Sequence, residues 1–271
     1  MTVQPLIPKA SSSILSARIQ ALMTDLLDLG FGVKLHSDPD AFARFFRQVE
    51  GFDPASPLDP AFCHLDNTNF FWVQILDAHR NTIAMCAGRL IDAPADQGGL
   101  VGILRNQRIF GDKAAQLWSP EIEIEGPAAE LSGRLGYVGG GWVMPKRKAR
   151  TLGPKDKGHP GWRDRGLIGF CVQLVQAHLL EHFRANHLIG FVRPHHVNLA
   201  LSKAGYSFHR TADLRAPYYT GTGFAEQLIF VYSTHDDALE HLGGNQRPQF
   251  RTEGISEIPG APNPLALRKA G

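Results

Sequence analysis

Four groups of residues have types and spacings suited to chemistry. Arg163-Asp164-Arg165-Gly166 stands directly ahead of the apolar run Leu167-Ile168-Gly169-Phe170. If that run is a helix, its first turn offers unpaired backbone N–H groups and a partial positive charge, and two flanking arginines add charge-assisted hydrogen bonds. A strand, a basic loop and such a helix start form a device for holding a diphosphate. His178-Leu179-Leu180-Glu181-His182 places two imidazoles one helical turn apart with a carboxylate beside them, a spacing able to ligate zinc and activate water. His195-His196 follows a short apolar run and offers an acid or a base. Glu130 lies just upstream of a glycine-rich strand candidate and is a second candidate base. Each has a plain structural reading beside the chemical one: a solvated charged loop, a hydrogen-bonded histidine, a turn histidine, a solvated glutamate.

The charge distribution favours the first group. Net charge is +2, too small for a surface built wholly to hold nucleic acid. Residues 146–165 hold Lys146, Arg147, Lys148, Arg150, Lys155, Lys157, Arg163 and Arg165 against Asp156 and Asp164, so this segment is +6 and the remainder −4. A local anionic partner is expected there, either phosphates or an acidic carrier protein. Cys63, Cys86 and Cys171 are widely spaced and match no metal-ligand pattern, so they are expected to be reduced core residues. No apolar run reaches the roughly 18 residues that cross a bilayer, and Met1-Thr2-Val3-Gln4-Pro5 lacks the order of a secretion signal. A cytoplasmic location is the expectation.

These groups must be positioned by an alternation of helices and strands. Ser11 to Ser13 cap an expected helix that runs to Gly30, and a strand spans Phe31 to Leu35. Ser37 or Asp38, followed by Pro39, opens a helix with an apolar stripe at Phe42, Phe45, Phe46 and Val49. The β-branched and aromatic runs from Phe70 to Asp92 read as a hairpin turning at Asp77 to Asn81. Residues 94–132 read as an insertion with a helix around Leu100 to Leu117. A strand at Gly136 to Met144 is glycine-rich where a ligand or another backbone could approach closely. A helix over 166–184, a strand at Leu188 to Val192, a short helix at Val197 to Ala204 and strands at Tyr206 to His209 and Gln227 to Tyr232 complete an α/β pattern. The expected organisation is an N-terminal helical extension (1–30), one α/β domain (31–240) and an irregular tail (241–271).

The second half resembles the GNAT superfamily of acyl-CoA-dependent N-acyltransferases. Trp142-Val143-Met144-Pro145 is similar to that family's central strand end, Arg163-Asp164-Arg165-Gly166-Leu167-Ile168 to its pyrophosphate loop, and Lys203-Ala204-Gly205-Tyr206 to its last conserved segment. The resemblance covers about residues 134–232. It implies a mixed, mostly antiparallel central sheet flanked by helices, and coenzyme A or acyl-CoA as donor. It further implies Val143, Met144, Arg163, Arg165, Gly166 and Ile168 as donor-binding residues, an amine as acceptor, and no metal. The carbonyl would be polarised by N–H groups near Val143 and Met144, with Glu130 or His195 as acid or base. Three positions depart from the pattern. Ile168 replaces a small residue, residues 146–163 lengthen the loop, and Leu201 stands where many members have a tyrosine that protonates the leaving thiolate. Another acid, water or a larger donor would then be needed, and an acidic acyl carrier protein docked on 146–165 is one such donor.

Two other readings remain open. The departures also suit a GNAT-like fold that binds a ligand or partner without catalysis. His178-x-x-Glu181-His182 matches the arrangement of inverted zinc peptidases, with both histidines on the apolar sector of their helix and hence expected to face inward.

Overall fold

The computed structural model describes residues 9–51, 53–106, 109, 123–146, 161–202, 208–215, 218–219, 225–226, 228–244 and 248–251. Arg147, Lys148, Arg150, Lys155 and Lys157 of the basic segment, the Lys203 to Tyr206 segment and residues 252–271 of the expected tail lie outside these. The helices are α1 Lys9–Asp28, α2 Pro39–Glu50, α3 Gly99–Arg105, α4 Leu167–Glu181, α5 Val197–Leu201 and α6 His235–Gly243. The strands are β1 Gly32–His36, β2 Phe70–Leu76, β3 Thr82–Ala93, β4 Glu123–Ile124, β5 Gly133–Val143, β6 His187–Val192, β7 Arg210–Arg215, β8 Tyr218–Tyr219, β9 Ala225–Glu226 and β10 Ile229–Thr234.

Eight strands form one sheet in the order β1-β2-β3-β5-β6-β10-β7-β4. Every neighbouring pair is antiparallel except β5 and β6, which are parallel. The fold is therefore α/β, with a mixed, mostly antiparallel sheet between two helical layers. Leu15, Leu22 and Leu26 of α1, the buried length of α4, and Ala238 and Leu242 of α6 pack on one face. Phe42 and Phe46 of α2 and Leu100, Ile103 and Leu104 of α3 pack on the other. Among the described residues no helix is long and apolar enough to cross a membrane.

Local chemistry accounts for several elements. Asp38 caps α2 by accepting from the Ala41 N–H at 2.9 Å, Pro39 fills the first turn, and Gly51 ends the helix in the left-handed region. Asp38→Ala should therefore cost about 1 kcal/mol in urea unfolding, with Asp38→Asn retaining most of the stability. The exposed Asp38–Arg44 pair at 3.8 Å adds little. In the β2–β3 hairpin the buried Asp77 carboxylate accepts from the N–H groups of His79 and Asn81.

α4 is buried on almost every side because it lies between the sheet and α1. Polar contacts fix that second interface: Arg18 donates to Gln173 at 2.7 Å, and the Ser16 hydroxyl donates to Glu181 at 2.9 Å. The three cysteines are free and buried.

One expectation is corrected here, and one element was not expected. Phe208 and His209, expected to end a strand, instead precede β7, and Phe208 is buried. The chain after β10 forms α6, opened by a capping box in which Thr234 and Asp237 exchange side-chain and backbone hydrogen bonds.

Candidate functional site

β5 and β6 pair only at Leu135–His187, Gly136–Leu188 and Tyr137–Ile189, although β5 continues to Val143 and β6 to Val192. Beyond that last rung the two strands no longer pair, and among the described residues no other strand takes that edge of β5. Gly139-Gly140-Gly141 occupies the opened stretch. Gly140 has φ +62, and the β3–β5 register slips by one residue there, since Ala87 pairs with Gly139 but Met85 pairs with Trp142. This is a bulge with one extra residue on β5. The Cys86 thiol donates to Gly139 O at 3.3 Å across it, and burial pushes that thiol up to about 12, which keeps it protonated.

Beyond the bulge the backbone groups are sorted by the antiparallel ladder, whose residues point alternately to one neighbour and then the other. The Met144 N–H donates to Ile83 O at 2.8 Å. It is committed to β3 and does not face the opening, which removes it from the expected carbonyl-polarising pair. Val143, opposite Ala84 in the intervening position, turns its N–H and C=O to the open edge. Its carbonyl accepts from Arg163 Nε at 3.4 Å. An extended chain carrying amides could add to β5 along this edge as a strand does.

The mouth of the opening is built by residues 161–166. Trp162 N–H donates to Met144 O at 2.8 Å, and the fully buried Trp162 ring packs edge-on against Phe31 at 5.4 Å. Gly166 caps α4 at φ +86, and Gly169 N–H folds back onto Gly166 O at 3.0 Å. The Ile168 side chain is partly buried and packs against the core.

Gly166 itself meets a different neighbour from the one expected. A Cβ there would lie 1.9 Å from Gln249 O, because residues 248–251 run against the start of α4. Arg165 belongs to the same contact: its N–H groups donate to Arg251 O at 3.3 Å, and Arg251 N–H donates to Arg165 O at 3.1 Å.

His195 and His196 end the turn after β6, exposed, with ring centroids 4.1 Å apart. Partial burial lowers the His196 pKa, and the charges of His195, Arg193 and Arg163 lower it further. Thus Arg163, bonded to Val143 on one lip, acts through its charge on His196 of the other. Glu130 does not join them. It is exposed at the opposite end of β5, and Gly133 to Val138 alone spans roughly 17 Å of strand.

The α4 histidines are also separated from this opening and differ from one another. His178 is half buried, 4.4 Å from the Phe71 ring, whereas His182 is exposed, which corrects the expectation that both face inward. Glu181 is held by Ser16 on α1. Among the described residues no three His, Cys, Asp or Glu side chains could hold one metal ion.

Sequence reasoning missed two side chains on the α2–α3 face. Arg89 lies opposite Tyr137 in the β3–β5 register. One of its guanidinium nitrogens donates to Pro57 O, Ile109 O and Cys63 Sγ at 2.9–3.1 Å, tying the covering loops to the sheet. Tyr137 sits on the last β5–β6 rung. The glycine triplet was the available signal, and what those glycines make room for is set by the tertiary structure.

No protein-family model matches this sequence, and no curated protein matches it. One solved structure, a CoA-dependent acyl-homoserine lactone synthase with SAM and isopentyl-CoA, aligns over 93% of this chain and 93% of its own at 13% identity and a TM-score of 0.35.

Proposed function

We propose that this chain is an N-acyltransferase of the GNAT type, moving an acyl group from a coenzyme A thioester to an amine. The observation that carries the reading is the parting of β5 from β6 after Tyr137 and Ile189, with the arginine-flanked start of α4 at its mouth. The diphosphate of the donor suits the first-turn N–H groups of α4, at Leu167 and Ile168, which have no partner within the helix, and the exposed Arg163. Its amide-bearing arm suits this edge, where Val143 presents its N–H as a donor and a carbonyl that also accepts from Arg163.

Transfer then requires three events. A base removes a proton from the ammonium, the freed amine attacks the thioester carbon, and the oxyanion collapses by breaking the C–S bond. The second proton of the attacking nitrogen ends on the departing sulfur. His196, beside His195 and Arg163, is our choice for the base, because its surroundings disfavour the imidazolium form and so leave a proton acceptor near neutrality. Glu130 has no part in this scheme.

A donor that binds only the native state must raise its unfolding midpoint. At 100 times its Kd, coenzyme A or acetyl-CoA should stabilise the protein by about 2.7 kcal/mol, a rise on the order of 5–10 °C for a chain of this size. Arg163→Ala should reduce that rise. A midpoint unmoved by coenzyme A, acetyl-CoA and long-chain acyl-CoA would remove the reading. A carrier-borne donor is the second form of the same proposal, favoured by the +6 charge of 146–165. It predicts a shift with acylated carrier protein that high salt abolishes.

A further inference from the structure

The wedge between β5 and β6 contains a polar group with no assigned role. Tyr137 is 3% exposed and sits on the last paired rung. Its ring does not point straight off the sheet but leans along β5. A Cβ built on Gly139 would lie 2.8 Å from Tyr137 Cε1 and 3.0 Å from its hydroxyl oxygen. The phenol therefore occupies the space that a side chain at 139 would fill, at the start of the opened stretch.

Phe191, the β6 residue that would have paired near Gly139 had the ladder continued, faces the phenol with ring centroids 5.9 Å apart. Behind it stand Arg89 across the strand and the buried Cys86 and Cys63. No group among the described residues hydrogen-bonds the hydroxyl.

Distances along β5 say which part of a donor reaches it. Val143 and Arg163 stand at the mouth, and Gly139 lies four residues deeper, about 13 Å along the strand. A donor anchored by its diphosphate at α4 and laid along the open edge carries its amides past Val143 and its reactive end toward the apex. The thioester accordingly belongs near Gly139, beyond the reach of the Val143 N–H.

We infer that the Tyr137 hydroxyl is a catalytic hydrogen-bond donor to the thioester carbonyl oxygen, stabilising the oxyanion that forms when the amine attacks. The inference rests on the acyltransferase reading and adds a residue to it. In the step itself the amine nitrogen forms a bond to the carbonyl carbon, and the C=O π electrons move onto oxygen. The phenol keeps its proton throughout. Burial raises its pKa, opposed only in part by Arg89, so it is a neutral donor and not a source of protons. Such a donor acts on charge that develops only in the transition state.

Tyr137→Phe removes the hydroxyl and keeps the ring. With hexanoyl-CoA as donor and hydroxylamine as a generic amine, kcat for release of the coenzyme A thiol should fall about 10²–10³-fold. KM for hexanoyl-CoA should stay within about threefold, with the unfolding midpoint unchanged. A second readout needs no turnover: the infrared carbonyl band of [1-¹³C]hexanoyl-CoA should move to lower frequency on binding the wild type and lose that shift in Tyr137→Phe. Hexanoyl-CoA that binds by calorimetry with an unshifted band overturns the assignment of Tyr137 and leaves the donor site standing. A kcat altered less than about threefold in the variant does the same. Calorimetry showing no binding of coenzyme A or hexanoyl-CoA to the wild type overturns the donor site, and the role of Tyr137 with it. If the variant does not fold, the wild-type band alone decides.

Discussion

Gly166→Ala is expected to destabilise the protein by about 3 kcal/mol or more, a cost with two physical sources. Holding alanine at φ +86 costs on the order of 1–2 kcal/mol, because Cβ crowds the following carbonyl. Steric overlap costs more. A Cβ at 166 lies 1.9 Å from Gln249 O, and since both partners are backbone, no rotamer change relieves the contact. The segment 248–251 must move away. That loses the Arg251–Arg165 backbone hydrogen bond and the Phe250 ring from its edge-on contact with Phe31 at 5.2 Å.

The cause can be separated from ordinary helix-cap damage by a double-mutant cycle with Phe250→Ala. If residues 248–251 are what Gly166 accommodates, loosening them in advance makes Gly166→Ala cheaper. The two substitutions should then couple by more than about 0.5 kcal/mol in urea unfolding. Additive costs would show that the strained dihedral alone matters. Coenzyme A binding should weaken in Gly166→Ala as well, because Arg165 and the start of α4 are held by the same segment.

A second large effect is loss of stability in mild acid, traced to His178. Burial against Phe71 and Phe183, with the His182 charge as the smaller cause, lowers its pKa from 6.5 to about 4. The folded protein therefore keeps this imidazole neutral between pH 6.5 and 4, while the unfolded chain takes up a proton there. Stability then rises with pH across that window. The contribution is complete above about 6.5 and disappears as pH falls toward 4. Its ceiling is about 3 kcal/mol, and solvent screening of a half-buried ring brings it nearer to about 2 kcal/mol. His187, whose pKa is lowered chiefly by burial, acts in the same direction.

In His178→Phe, a swap that fits the aromatic surroundings, the difference in unfolding free energy between pH 7 and pH 4.5 should shrink by about 2 kcal/mol relative to wild type. Carboxylates titrate equally in both proteins and cancel in that comparison. Identical pH slopes would mean that His178 is not held neutral. The same environment bears on the zinc reading: the His178 and His182 rings lie 4.2 Å apart, but Glu181 is bonded to Ser16 on α1.

The sequence by itself determined what short-range chemistry fixes. Asp38-Pro39 starts α2, Asp77 to Asn81 turns the hairpin, and the apolar run after Gly166 becomes α4, because caps, turns and amphipathic periods are written within a few residues. Thr234-x-x-Asp237 is an equally local capping-box signal, and α6 is the element that sequence reasoning missed. The strand, loop and helix start proposed as the donor site were also readable in order and spacing.

Only the tertiary structure decided how those parts face one another. Whether Val143 or Met144 turns its N–H to the opening depends on register against Ile83 and Ala84, a strand distant in sequence. Gly166 reads in the sequence as room for a phosphate, whereas in the fold Gln249 fills the space beside it. Ser16 and Arg18 reach Glu181 and Gln173 across 165 and 155 residues. Glu130 precedes the right strand in sequence, yet an extended strand carries its two ends far apart. Tyr137 carried no signal of its own, since its role comes from the rung at which β6 departs and from the missing side chain at Gly139. A residue's local conformation depends on its sequence neighbours, whereas the partner it meets in space is chosen by the packing of the whole sheet.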